Sequence, residues 1–135
     1  MKKNYVNSEM IKIGRAKVSD GKAVDVTVPE GEEIIAGNFY YLDGFLGAAH
    51  ETIAKAGGNE VIALNIEQGE YETDQIAKTG QYKKGNPIYF DKGKKEFNDK
   101  AGLLAGKITE TKDGNNVVTF ILAPQAAIIE DTPEA

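Results

Sequence analysis

The chain has 135 residues, of which 41% are hydrophobic and 27% are charged, and its net charge is −5 at pH 7. This length and composition are typical of one globular domain and exclude a disordered chain. The chain has no cysteine, which excludes a disulfide framework, a thiolate zinc site and a cysteine nucleophile. No apolar run is long enough to span a bilayer, and no apolar stretch follows Lys2 and Lys3, so we expect a soluble protein without a signal peptide.

The first 22 residues form a basic segment. They hold six basic side chains against the carboxylates of Glu9 and Asp20, a net charge of +4 that leaves −9 on the remainder. Such a segment suits contact with an acidic surface, and the acidic remainder favours a protein partner over nucleic acid. We therefore predict a docking arm over residues 1–22. Its candidate contact residues are Lys2, Lys3, Tyr5, Met10, Ile11, Lys12, Ile13, Arg15 and Lys17.

Three outcomes stay open for this arm. It could add a strand to the sheet of a neighbouring molecule, with its apolar side chains as anchors. The same apolar side chains also allow it to pack on its own body as a first strand. A solvated terminus with no partner would have the same charge pattern.

Short strands separated by glycine-containing turns are predicted from residue 23 onward. Residues 23–28 alternate between polar and apolar side chains, which places Val24, Val26 and Val28 on one face of a strand. Pro29 and Gly31 end this strand.

The clearest local signal is a tight hairpin around Asp43 and Gly44. Phe39–Leu42 precede this pair, and Phe45 and Leu46 follow it. An Asp-Gly pair supplies the positive φ angles that a type I′ turn requires. We therefore predict a structural turn at Asp43 and Gly44.

Further strands are predicted along the rest of the body. A second hairpin pairs residues 87–90 with 95–97, and a turn at Asp113 and Gly114 joins the last two strands. The remaining predicted strands are residues 60–66, 103–108 and 116–122. Residues 48–56 are rich in alanine and end at Gly57 and Gly58, so they are either one short helix or the far end of the hairpin strand.

The predicted organisation is therefore a basic arm (1–22), a β domain (23–125) and a flexible acidic tail (126–135). We predict an all-β fold, a small single-domain barrel or sandwich of short antiparallel strands and hairpins, with at most one short helix.

The chain holds few residues that could perform catalysis. His50 is the one histidine, and Ser8 and Ser19, the two serines, both lie in the arm. A histidine-based site usually needs partners at fixed spacing, and a nucleophile needs rigid support. We predict no catalytic residue, no metal site and no cofactor.

Carboxylates cluster around Gly69, at Glu67, Glu70, Glu72 and Asp74. A pair of them could serve as acid and base or bind calcium, but their spacing fits no calcium loop. Because Glu70 and Glu72 alternate with Tyr71, we interpret them as the solvated face of an edge strand, where charge resists unwanted pairing. Residues 91–99 are rejected as a calcium loop because Gly93 and Lys95 stand at ligand positions.

The order of the motifs resembles that of a family of small structural proteins of tailed phages, long catalogued as a domain of unknown function and now regarded as capsid cement or decoration proteins. The resemblance covers roughly residues 23–123. It rests on the hairpin segment 37–49, the strand and turn of 57–71, the segment 85–91, the glycine-led strand 106–108 and the closing strand 117–122.

The resemblance implies a non-enzymatic protein that binds the outside of an assembled major-capsid lattice and stabilises it, often as a homotrimer. The arm then becomes a candidate capsid-contact segment, with no role for nucleic acid or membrane. The expected location is the virion exterior, after assembly in the host cytoplasm. The alternative is a virion-displayed glycan- or receptor-binding module, or a head-fibre base, with Tyr40, Tyr41, Tyr71 or Tyr82 as sugar platforms.

Overall fold

The computed structural model describes residues 16–130 and confirms the all-β prediction. In this part of the chain nine strands are followed by one short 3-10 turn, Gln125–Ala127. The strands are β1 (Ala23–Thr27), β2 (Phe39–Leu42), β3 (Phe45–Ala49), β4 (Val61–Asn65), β5 (Glu70–Thr73), β6 (Pro87–Asp91), β7 (Glu96–Asn98), β8 (Leu103–Glu110) and β9 (Val118–Leu122).

The first four strands form an antiparallel sheet, here called sheet 1, in the order β1-β4-β3-β2. The predicted hairpin joins β2 to β3, with Leu42 opposite Phe45. Strand β1 pairs with β4 along its whole length, from Ala23 opposite Asn65 to Thr27 opposite Val61. Alternation along β1 then buries Val26 and half-buries Val24 on one face.

The last five strands form a second antiparallel sheet, sheet 2, in the order β5-β9-β8-β6-β7. The predicted second hairpin is present, with Asp91 of β6 opposite Glu96 of β7. The register of β8 shifts against both of its neighbours, which marks irregularities in this long central strand. Within described residues 16–130 no strand of one sheet pairs with a strand of the other, and the bridge between Ile76 and Phe97 brings the segment after β5 to the far edge of sheet 2.

The larger hydrophobic core lies between the two sheets. Sheet 1 contributes Phe39 and Leu46 to it, and sheet 2 contributes most of the remainder. Phe39 makes edge-to-face contact with Phe97, with ring centroids 5.1 Å apart, and lies 5.5 Å from Phe120. Such aromatic pairs are favourable beyond the area they bury. This core fixes sheet 1 against sheet 2.

A second, smaller core lies on the opposite face of sheet 1. Val26, Ile62 and Leu64 from the strands pack there with Ile34 and Ala56 from two loops. These loops are joined by paired backbone hydrogen bonds of 2.8 Å between Ile34 and Ile53. The loops therefore cover this face, and strands β2 and β3 of sheet 1 make apolar contacts on both sides.

Two segments differ from their sequence interpretations. Residues 48–56 contain no helix: β3 continues to Ala49, and the chain after it is irregular until the bridge at Ile53. The helical alternative is therefore wrong, because strand pairing and the Ile34–Ile53 bridge override local helix preference. Ile128, which falls in the predicted acidic tail, is buried in the larger core, and residues 131–135 lie outside the described residues.

Candidate functional site

The hairpin turn has the geometry that the sequence predicted. Asp43 and Gly44 have φ angles of 53° and 84°, both in the left-handed region. The turn also has a contact that the sequence did not indicate. The carboxylate Oδ2 of Asp43 accepts a hydrogen bond of 2.8 Å from the backbone N–H of Thr27, at the end of β1. Asp43 therefore shapes the turn and also covers part of the outer edge of β1.

Gln75 covers the outer edges of two further strands. Its side-chain amide accepts a hydrogen bond of 2.7 Å from the N–H of Phe39 and donates one of 2.9 Å to the carbonyl of the same residue. Its backbone carbonyl accepts a bond of 2.8 Å from the N–H of Phe97 in β7. One residue between β5 and β6 thus shields β2 and β7, and no motif in the sequence marks it.

Strand β5 has an open outer edge. Leu122 of β9 donates to the carbonyl of Gly69, and the register continues with Tyr71 opposite Phe120. In an antiparallel ladder, hydrogen-bonding groups alternate between the two sides, so the N–H and C=O of Glu70 and Glu72 face away from β9. No strand among residues 16–130 pairs with them there. The predicted solvated acidic edge is therefore present.

The arm is described only at its base. The side chains of residues 16–22 are exposed, and Val18 is 97% exposed. Lys17 Nζ lies 2.7 Å from the carboxylate of Asp20, and Lys22 Nζ lies 3.8 Å from that of Glu67. The other candidate contact residues, Lys2, Lys3, Tyr5, Met10, Ile11, Lys12, Ile13 and Arg15, lie outside the described residues.

His50 and Glu72, two of the groups considered for catalysis, line the same surface cavity. Within residues 16–130, no group of three His, Cys, Asp or Glu side chains could hold a metal ion. His50 is exposed in the irregular segment after β3. Glu60 curls back on its own loop, where hydrogen bonds from the backbone N–H of Gly57 and Gly58 lower the pKa of its carboxyl group. The Glu60 carboxylate therefore stabilises the loop that contains it.

The tyrosines considered as sugar platforms are not exposed rings. Tyr40 and Tyr82 are buried, while Tyr41 and Tyr71 are half-buried against the larger core. Tyr71 donates to the carbonyl of Glu67 at 2.7 Å, and burial, reinforced by the Glu67 charge, raises the pKa of its phenol. Because a sugar platform needs an open aromatic face, these positions do not support the glycan-binding alternative.

The sequence model of a family described as phage cement protein matches residues 18–129, which include both sheets and both cores. The chain belongs to the phage cement protein family. Membership makes it a structural, capsid-associated phage protein, as the motif order implied. The cement-protein match begins at Val18, so the arm up to Lys17 lies outside it.

No curated protein and no solved structure matches the chain significantly. The phage cement protein family is generally non-enzymatic. Among residues 16–130, no helix has the length and apolar character needed to cross a membrane.

Proposed function

We propose that this protein binds the outer surface of an assembled phage capsid and stabilises the shell. The match to the phage cement family across nearly the whole β body carries this proposal. A protein that binds the assembled shell but not the dissociated subunits stabilises the shell by mass action. Because many copies bind one shell, a weak contact at each site produces a large summed effect.

The β body suits a rigid attachment. Apolar contacts lie on both faces of β2 and β3 in sheet 1, and the aromatic cluster around Phe39 joins this sheet to sheet 2. Two surface ion pairs also connect distant segments: Lys95 with Glu32, and Lys92 with Glu130. Exposed ion pairs add little stability, so rigidity rests on the two cores.

The arm is the proposed contact segment, with Lys2, Lys3, Tyr5, Met10, Ile11, Lys12, Ile13, Arg15 and Lys17 as candidate contacts. Its net charge of +4 favours an acidic neighbouring surface in the shell. The exposure of residues 16–22 supports an arm that leaves the body at β1. We also propose a homotrimer on the shell, on the capsid exterior, after assembly in the host cytoplasm.

Deletion of residues 1–13 tests the arm. The truncated protein should keep its melting temperature and lose co-sedimentation with empty shells of the phage that encodes it. Deletion of residues 131–135, the acidic end of the chain, is the matched control and should leave binding intact. A large fall in melting temperature would show instead that the arm belongs to the core.

Shell stabilisation is tested separately from binding. Empty shells saturated with the protein should release their subunits at a higher temperature than bare shells, and surface biotinylation of intact particles should label the protein. Binding without a rise in the release temperature would contradict a cement role. Labelling only after disruption of the shell would contradict an exterior position.

A further inference from the structure

Within the described part of the chain, the outer edge of β5 has no strand partner and is negatively charged. Its outward backbone groups belong to Glu70 and Glu72, and Glu67 and Asp74 stand just beyond its two ends. Of these four carboxylates, only Glu67 forms an ion pair within residues 16–130, with Lys22. Glu70 accepts a hydrogen bond of 2.7 Å from the Thr109 hydroxyl, which leaves Glu72 exposed at the edge. The edge therefore has both unpaired backbone N–H and C=O groups and negatively charged side chains.

The end of the arm has the complementary pattern. Arg15 and Lys17 are two residues apart, the same spacing as Glu70 and Glu72, and small residues, Gly14 and Ala16, alternate with them. In a strand, residues two apart lie on one face. Residues 14–17 are therefore complementary in charge to β5, and the small residues between the two basic ones leave room for Tyr71 and Thr73.

We infer that residues 14–17 of one copy add as an antiparallel strand to the open edge of β5 in an adjacent copy on the shell. Arg15 then lies opposite Glu72 and Lys17 opposite Glu70, while Gly14 and Ala16 face Thr73 and Tyr71. This pairing rests on the proposed docking function of the arm, and it identifies the β5 edge as the surface to which the arm binds. The Lys17–Asp20 ion pair is exposed, so exchanging it costs little.

The described base of the arm does not pair with the β5 edge of its own chain, which leaves that edge open to a neighbouring copy. Val18 is 97% exposed, and residues 16–22 leave the body without burying a side chain. The arm and the β5 edge are different parts of the surface, so the contact between two copies is heterologous. Each copy donates its arm to one neighbour and accepts the arm of another. Such a contact closes into a ring when the rotation between copies allows it.

Engineered disulfides test this pairing directly, because the natural chain has no cysteine. Directly opposed residues in such a pair have Cα atoms about 5.5 Å apart, within disulfide range. The double variant Arg15→Cys with Glu72→Cys is bound to empty shells, oxidised, and run on a denaturing non-reducing gel. We expect a disulfide-linked multimer of one defined size, as a closed ring of copies would give. The control Arg15→Cys with Glu110→Cys, whose second site is exposed on β8, should stay monomeric.

A charge exchange gives a second measurement without a covalent bond. Arg15→Glu and Glu72→Lys should each weaken shell binding about twofold to fivefold per site, and the double variant should recover it. Absence of multimers, or a disulfide formed within one chain, would overturn the inference. If multimers are absent while deletion of residues 1–13 still abolishes shell binding, the arm contacts the capsid protein, and the proposed function stands without this receiving edge.

Discussion

The side-chain amide of Gln125 pairs with the backbone of Leu46 as a neighbouring strand would. Its Oε1 accepts a hydrogen bond of 3.0 Å from the Leu46 N–H, and its Nε2 donates one of 2.8 Å to the Leu46 carbonyl. Strand β4 pairs with β3 at Ala48 and Ala49 alone, so among residues 16–130 no strand lies beside Leu46 on that side. One side chain from beyond the last strand therefore completes the ladder of sheet 1.

Gln125→Leu should destabilise the protein by about 1–3 kcal/mol, because it leaves the partly buried N–H and C=O of Leu46 unpaired. Urea unfolding measures this change. Gln68→Leu, at an exposed loop position, is the control, and its free energy of unfolding should be close to that of the natural protein. Equal stability of the two variants would mean that solvent satisfies Leu46 without cost.

Gly44→Val should destabilise the protein by about 1 kcal/mol or more, because a β-branched residue tolerates the φ of 84° poorly. Gly114→Val is the matched control. Gly114 also lies in a turn between strands, but its φ is not in the left-handed region and its surroundings are open. Similar melting temperatures for the two variants would argue against the primed turn.

The sequence predicted those parts of the fold that depend on local chemistry. Alternation located β1, and the Asp-Gly pair located the turn between β2 and β3. It could not predict Gln125, since a glutamine in a loop carries no pattern and its partner is 79 residues away. The burial of Ile128 was not predicted for a related reason. Composition assigned its segment to an acidic tail, whereas its burial depends on contacts with strands that are distant in sequence.

Gly106→Ala should destabilise the protein strongly, by about 3 kcal/mol or more, or prevent folding. A Cβ atom at this position would lie 2.0 Å from the carbonyl oxygen of Ile121, a backbone atom of the adjacent strand β9. Gly69→Ala is the control, since its Cβ would approach nothing closer than 4.0 Å. Urea unfolding and expression yield measure the difference, and a mild effect at Gly106 would contradict the close approach of β8 and β9.

The free energy of unfolding should fall at alkaline pH, in part because the phenol of Tyr82 loses its proton. Burial, with the charges of Asp99 and Glu96, raises the pKa of its phenol to about 12. Between the ordinary tyrosine pKa of about 10 and this value, the unfolded chain loses a proton that the folded chain keeps. The contribution of Tyr82 is therefore complete below about pH 10 and is lost as the pH rises through about 12.

Tyr82→Phe separates this effect from the hydrogen bond of 2.6 Å that Tyr82 donates to Ala77. At pH 7 the variant should be less stable by about 1 kcal/mol, because the Ala77 carbonyl loses its donor. The difference in unfolding free energy from the natural protein should narrow as the pH rises from about 10 towards about 12, which urea unfolding at each pH measures. Parallel pH profiles would contradict the raised pKa.

Each sheet is built from one continuous stretch of chain, which sets an order for folding during synthesis. Residues 23–65 supply all four strands of sheet 1. Among residues 16–130, β5 pairs with β9 alone, so Glu70 cannot pair until Ile121 has been synthesised. Pairings between strands so far apart in sequence form slowly. Sheet 1 can thus assemble on the ribosome while sheet 2 is incomplete, but Leu46 gains its last partner only when Gln125 emerges. A nascent chain stopped after β9 therefore holds every strand and still lacks the junction that closes the fold.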